Sequence, residues 1–307
     1  MVEWVLYKKS FKKFMKKINF IILIICTTSC SKKKSNDDIN VYDYYSKEQR
    51  ESTNSDMIYL WNKNNMPKVT SYTENNGNYF DDPDFEPYIT IYNVPESTKV
   101  KGAILVSPGG AFIFRTENTE GKEVAESFAK KGYVSFVVHY RVRPYTERES
   151  GLDIARAIKI VRANAKQYGF DENKIAVVGF SAGGIANGRA VLKFGNIIDG
   201  SKLDKNYIPD EIDEFSSTPN AVIMGYSFYG RLSVADLDEN TFKDFDLPPT
   251  YYVYGTEDPF YNQFNSQVAL LKKLDKNIES TVLNKYPHGF GVRGYWVSKV
   301  DKWLDKN

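Results

Sequence analysis

The stretch Lys174-Ile175-Ala176-Val177-Val178-Gly179-Phe180-Ser181-Ala182-Gly183-Gly184 decides the architecture. Its first half is short, continuously apolar and β-branched, the pattern of a strand buried on both faces of a parallel sheet. Its second half is Gly-x-Ser-x-Gly running into a helix-forming segment, 182–194. A serine between such a strand and such a helix sits in a tight, strained turn where only small neighbours leave room. The turn lifts Oγ above the sheet, at a helix N-terminus whose dipole favours developing negative charge. A chance loop is the bland alternative, and the strand–helix context favours Ser181 as a nucleophile.

Outward from this segment, apolar runs alternate with helical ones. Strand-like runs occur at Pro87–Val94, Gly102–Ser107, Tyr133–His139, Lys174–Gly179, Asn220–Tyr226, Thr250–Tyr254 and Glu279–Tyr286. Helical stretches fall at 117–131, 152–168, 182–194, 262–276 and 293–304. In 152–168, Leu152, Ala155, Ile158, Val161, Ala165 and Tyr168 recur every three or four positions. Arg156, Lys159, Arg162 and Lys166 fall largely on the opposite side, and Gly169 closes the helix. The alternation predicts an α/β fold, a mostly parallel, doubly wound sheet with helices on both faces. Polar stretches 195–218 and 231–248 are long for connections and read as functional loops or a small cap.

A serine hydroxyl needs a base, and the chain has two histidines. His139 ends a strand-like run and reads as a histidine bonded to backbone. His288 lies in Tyr286-Pro287-His288-Gly289-Phe290-Gly291, after the last strand and before the last helix, and is the expected base. Asp258, in Gly255-Thr256-Glu257-Asp258-Pro259, is placed to orient that imidazole; a helix-capping aspartate is the alternative, and Glu257 is expected to point elsewhere. Ser107-Pro108-Gly109-Gly110-Ala111-Phe112 follows an early strand, and small residues let backbone N–H groups approach a ligand. The amides of Gly110, Ala111 and Ala182 are the expected oxyanion hole, with a simple Pro-Gly turn as the alternative.

Pro-Gly-Gly-Ala-Phe at 108–112, Val161-Arg162-Ala163-Asn164-Ala165, Gly-Phe-Ser-Ala-Gly-Gly at 179–184, Gly-Thr-Glu-Asp-Pro at 255–259 and His-Gly-Phe-Gly at 288–291 form one set. It resembles bacterial xylan-esterase and feruloyl-esterase-like α/β-hydrolases, related to the hormone-sensitive-lipase group, over roughly residues 58–307. The resemblance implies the α/β-hydrolase fold and hydrolysis of carboxylic esters, often acetyl or feruloyl groups on plant polysaccharides, with no required metal or cofactor. Two positions depart from the lipase-group pattern: Pro108 stands for His and Ala111 for a third Gly, and neither change removes a backbone donor. Gly225-Tyr226-Ser227-Phe228-Tyr229-Gly230 also differs from the expected apolar-Pro sequence, which leaves the acyl pocket undefined. Arg141 and Arg143 read either as anchors for a substrate carboxylate or sugar or as members of surface ion pairs. A peptidase or amidase on the same fold, and a non-catalytic surface-binding lipoprotein, are the rival readings.

The N-terminus reads as a bacterial lipoprotein signal over residues 1–30, followed by a polar tether, 31–55, and the catalytic domain, 56–307. Lys16-Lys17 precede a short apolar run, Ile18 to Cys26, and Thr27-Thr28-Ser29-Cys30 follows, so Cys30 is the expected lipidation site and Cys26 the weaker candidate. An uncleaved anchor is the alternative, and Met15 is a more typical start than Met1. This predicts an exported protein held at a membrane by lipid. Residues 1–30 carry six of the 41 basic residues and one of the 39 acidic ones; the rest is slightly acidic and gives no case for nucleic-acid binding. The two cysteines, Cys26 and Cys30, leave no disulfide framework and no cysteine-based zinc site for the folded domain.

Overall fold

The computed structural model describes residues 57–307; the expected signal (1–30), the expected tether (31–55) and Cys30 lie outside the described residues. Among the described residues ten strands form: β1 (Met57–Tyr59), β2 (Tyr88–Tyr92), β3 (Gly102–Ser107), β4 (Tyr133–His139), β5 (Ile175–Phe180), β6 (Ala221–Gly225), β7 (Gly230–Arg231), β8 (Val234–Ala235), β9 (Thr250–Gly255) and β10 (Ile278–Leu283). The helices are α1 (Glu123–Ala129), α2 (Glu147–Ala163), α3 (Ala182–Phe194), α4 (Glu239–Phe242), α5 (Tyr261–Lys273) and α6 (Trp296–Leu304). A π-helical stretch, Glu117–Lys122, leads into α1.

Eight strands make one sheet in the order β1-β2-β4-β3-β5-β6-β9-β10. Its first two pairings are antiparallel and the rest parallel. The chain leaves β3 for β4 on one side, then crosses back past β3 to β5 on the other. Right-handed crossovers in opposite directions put α1 and α2 on opposite faces of the sheet. They also leave a crevice beyond the C-terminal ends of β3 and β5, where the strand order reverses and open α/β sheets bind ligands. Strands β3, β4, β5, β6 and β9 are buried throughout, which is why their sequences are apolar runs without polar alternation.

Helix α2 departs from the sequence reading in two respects. Helix α2 begins at Glu147, earlier than 152, because Thr146 and Glu149 form a reciprocal capping box. Its basic side is not a solvent face: Arg156, Lys159 and Arg162 are buried, and only Lys166, beyond the helix, is exposed. The stretch 195–218 covers them. Arg156 donates to both oxygens of Asp210 at 2.7 and 2.6 Å, and Lys159 Nζ donates to the Asp213 carbonyl at 2.8 Å. Arg162 donates to the carbonyls of Ser216 and Thr218. The second long stretch, 231–248, closes the β7–β8 hairpin and forms α4, and it is docked on α5 through Gln267, whose Nε2 donates to the carbonyls of Tyr229 and Asp236.

Arg141 is neither a surface ion pair nor a ligand anchor. It is fully buried against Asp153, donating to Oδ1 at 2.6 Å and Oδ2 at 2.8 Å, and Trp61 Nε1 donates to the same carboxylate at 2.8 Å. This pair ties the end of β4 to α2. Arg143 is half-buried, and its amide donates to the Phe112 carbonyl at 2.8 Å, holding the loop after β3.

Candidate active site

Ser181 stands at the junction of β5 and α3 with φ 49° and ψ −118°. A side chain in this left-handed region is strained, and such strain persists only where the surroundings over-determine it. Here the Ser181 amide donates to the Gly225 carbonyl at 3.1 Å, and the Ser227 hydroxyl donates to the Ser181 carbonyl at 2.7 Å. Packing leaves no alternative residue at Gly183: a Cβ there would lie 2.1 Å from the Ser107 carbonyl oxygen. The elbow therefore presses directly on the end of β3.

The three side chains picked from separate segments meet in one line. Ser181 Oγ and His288 Nε2 are 2.9 Å apart, and His288 Nδ1 is 2.7 Å from Asp258 Oδ2. The Asp258 side chain is fully buried, while the His288 side chain keeps 15% of its surface exposed. Asp258 Oδ1 accepts the Phe260 amide at 2.8 Å, so the carboxylate is held at both oxygens. It sits in the turn between β9 and α5, and the aspartate thus bonds the amide two residues on as well as the imidazole. Glu257 is exposed.

Burial would lower the His288 ionisation, but the charge of Asp258, its hydrogen bond and the charge of Glu120 outweigh it and raise the pKa above the ordinary value. The ring packs edge-on against Tyr226 at 4.8 Å and Phe260 at 5.7 Å.

The loop after β3 carries the other expected residues. Gly110, Ala111 and Phe112 all have positive φ, 132°, 56° and 57°. The turn is closed by the Ile113 amide donating to the Gly110 carbonyl at 2.9 Å. Among the described residues neither the Gly110 nor the Ala111 amide has an acceptor, and Ala182 opens α3, where a first-turn amide has no intrahelical partner. Gly109 is different: its amide donates to Glu120 Oε2 at 2.7 Å, and a Cβ on it would lie 3.0 Å from Ser181 Cβ. The loop therefore runs hard against the serine with two amides unclaimed.

His139 is a correction. It bonds to side chains where backbone was expected: Nδ1 is 2.8 Å from Glu117 Oε1 and Nε2 is 3.1 Å from Thr90 Oγ1, and its ring stacks on Tyr88 at 4.1 Å. Glu117 in turn accepts from Arg115, which is fully buried against Asp81. Burial would raise the Glu117 ionisation, but His139 and Arg115 bring it down to about 2. This network stabilises the segment between the β3 loop and α1 and does not reach the serine.

Two residues were missed in the sequence. Glu120 sits among Glu117, Glu123 and Glu126, a spacing that reads as a solvated helix face, yet it is buried. Tyr226 follows β6 with φ 37°, and its hydroxyl donates to Glu120 Oε1 at 2.6 Å. The signal for Tyr226 was its place, an aromatic immediately after a buried strand at the sheet end that carries the elbow. Among the described residues no cluster of His, Cys, Asp and Glu is arranged to hold a metal ion.

Residues 89–206 match the family model BD-FAE. The chain is 29% identical over 171 residues to endo-1,4-beta-xylanase B of Butyrivibrio fibrisolvens, covering 54% of this chain and 25% of that protein. It is 35% identical over 83 residues to the acetylxylan esterase of Xylanibacter ruminicola, covering 27% of this chain and 17% of that one. The chain thus spans well under two thirds of the curated relatives it matches. Among solved structures, the acetyl ester-xyloside bifunctional hydrolase from Caldicellulosiruptor lactoaceticus superposes with a TM-score of 0.63 at 26% identity, covering 81% of this chain and 95% of that one. The described chain is an α/β-hydrolase-fold domain, and its residues 89–206 match the BD-FAE family.

Proposed function

We propose that this protein is a serine carboxylesterase that removes small acyl groups, acetyl or feruloyl, from carbohydrate. The observation that carries the reading is the unbroken Ser181–His288–Asp258 hydrogen-bond line beside a loop with two unclaimed amides. Ser181 Oγ attacks the ester carbonyl carbon while His288 Nε2 takes its proton. The oxyanion forms against the amides of Gly110, Ala111 and Ala182. His288 then gives the proton to the leaving alcohol, and the acyl group remains on Ser181. Water, giving its proton to the same ring, attacks the acyl-enzyme carbonyl; the acyl–Oγ bond then breaks as His288 returns that proton to Ser181 Oγ, and the acid is released. Asp258 keeps the ring in the tautomer with Nδ1–H and stabilises the imidazolium. No step calls for a metal or an organic cofactor.

The acyl and carbohydrate parts of the proposal are supported by the acetylxylan and xyloside relatives, whose names describe those proteins. The test is ester hydrolysis on a short acetate ester, acetylated xylan and a feruloylated oligosaccharide, with an anilide of the same acid as control. Ser181→Ala should abolish turnover while the chain stays folded, and an organophosphate should label Ser181. Full activity in the alanine variant would refute the mechanism, faster anilide than ester cleavage would favour the amidase reading, and an unlabelled, inactive chain would favour a binding scaffold.

We also propose that the chain is exported and anchored through lipid on Cys30, on the strength of the basic and short apolar segments before Thr27-Thr28-Ser29-Cys30. Cys30→Ser should abolish incorporation of labelled fatty acid. Retained incorporation would overturn this assignment.

A further inference from the structure

The mechanism above leaves one buried carboxyl group unused. Glu120 is 6% exposed and both its oxygens are occupied: Oε2 accepts the Gly109 amide at 2.7 Å and Oε1 accepts the Tyr226 hydroxyl at 2.6 Å. Gly109 lies on the oxyanion loop, and Tyr226, at the end of β6, contacts the histidine loop. Gly109 precedes the unclaimed amides of Gly110 and Ala111. Tyr226 lies edge-on to the His288 ring at 4.8 Å, and its hydroxyl oxygen also accepts the Gly291 amide at 3.3 Å, three residues beyond His288. The Glu120 turn touches the histidine loop a second time, because a Cβ on Gly291 would lie 2.7 Å from the Thr119 carbonyl oxygen.

We propose, resting on the serine-esterase reading, that Glu120 is a positioning residue: its carboxylate clamps the oxyanion loop to Tyr226 and the histidine loop, and places a second negative charge near His288.

The physical case has two parts. A buried carboxyl group with no paired cation is expensive, so a fold keeps one where it accepts directed hydrogen bonds that fix its surroundings. Gly109 and Tyr226 both donate, the arrangement that suits the ionised form. Burial nevertheless raises the Glu120 pKa, against the bonds from Tyr226 and Gly109 and the attraction of His288. The second part is electrostatic. Imidazolium forms at His288 in both tetrahedral steps, and Glu120 adds to Asp258 in stabilising it. Among the described residues, Asp258 and Glu120 are the charged groups that act on the ring, and the titratable Tyr226 packs against it. On the histidine's own loop, Arg293 is turned to the carbonyls of Phe290 and Gly289.

The test compares the parent chain with Glu120→Gln, Tyr226→Phe and the double variant, measuring kcat, KM and the pH dependence of kcat/KM on a short acetate ester, with melting curves alongside. Glutamine preserves size but cannot accept at both oxygens, so a donor is left facing its amide. We expect kcat to fall roughly 10- to 100-fold with KM within about threefold, because small displacements of oxyanion donors act on the transition state. Loss of the charge lowers the His288 ionisation, so the acid limb should move to lower pH. Tyr226→Phe should lower kcat in the same direction by less, and the double variant should be no worse than Glu120→Gln alone, since both changes break one clamp.

A merely structural role would lower the melting temperature without moving the acid limb, and that outcome overturns the proposal. Unchanged kcat and limb in Glu120→Gln, or strictly multiplicative losses in the double variant, also overturn it. If Glu120→Gln does not fold, Tyr226→Phe decides: full kcat in that variant refutes the clamp. An active parent labelled at Ser181 together with an indifferent Glu120 sinks this inference alone, whereas an inactive, unlabelled parent sinks the esterase reading with it.

Discussion

Replacing Asp258 by Asn tests the site most sharply, because a neighbouring hydrogen bond dictates how the new amide must sit. Asp258 Oδ1 accepts the Phe260 amide at 2.8 Å, while Oδ2 faces His288 Nδ1 at 2.7 Å. Asparagine has one acceptor and one donor group at these two positions. Keeping the Phe260 bond puts its Nδ2 against the imidazole, and the ring must then carry its proton on Nε2, facing Ser181. In that tautomer it cannot accept the serine proton. Flipping the amide restores the working tautomer but leaves Phe260 N–H against an NH2 group, at about 1–3 kcal/mol.

The neutral amide also loses its attraction to the imidazolium, about 3 kcal/mol for charge centres ~5 Å apart at an effective dielectric of about 20. The two terms together are about 4–6 kcal/mol, so kcat should fall about 10³- to 10⁴-fold. The His288 pKa is raised in the parent, so activity rises as pH climbs through a value above the ordinary ~6.5 and the ring becomes neutral. Without the Asp258 charge burial gains weight, and the limb of the residual activity moves to lower pH. Initial rates on a short ester across pH give both numbers. Nitrogen NMR of the imidazoles reports the tautomer directly, since the chain has only two histidines. A kcat within tenfold of the parent, or an Nδ1-protonated His288 in the variant, would refute the reasoning.

Three further outcomes follow from the structure. His139→Gln should keep most of the turnover per folded molecule while lowering the melting temperature, since it loses a stacked ring and the Glu117 bond and takes no part in the Ser181–His288–Asp258 line; an acid limb that vanishes with His139 would reverse the assignment of the base. Asp153→Ala should destabilise the domain by about 3–5 kcal/mol in urea unfolding, because it strands a fully buried Arg141; a loss under 1 kcal/mol would mean water reaches the guanidinium. Gly183→Ala should cost at least about 100-fold in kcat, as its Cβ drives the Ser107 carbonyl and the following loop away from the serine; near-parental rates would show that the elbow has slack.

What the sequence determined by itself was everything that depends on neighbours along the chain. Gly179 to Gly183 specifies an elbow because steric strain at Ser181 is local. The apolar runs at 102–107 and 133–139 match β3 and β4 residue for residue, because strands buried on both faces need no polar alternation. The Thr146–Glu149 capping box, a local signal that the 152–168 reading passes over, sets the true start of α2. Chain order marked Asp258 and His288, since loops at the C-terminal ends of successive parallel strands converge on one edge.

Tertiary structure alone decided which polar groups are buried. Arg156 and Lys159 obey helical periodicity as a polar face, and only the later stretch 195–218 folding over them makes that face interior. Arg141 and Asp153 are twelve residues apart, and their pairing depends on how α2 lies against the end of β4. Glu120 looks like one more acidic residue on a surface turn. Its role needs Gly109, Tyr226 and His288, which come from three different strand ends, and the burial of a charge is a property of the space around it that no stretch of neighbouring residues encodes.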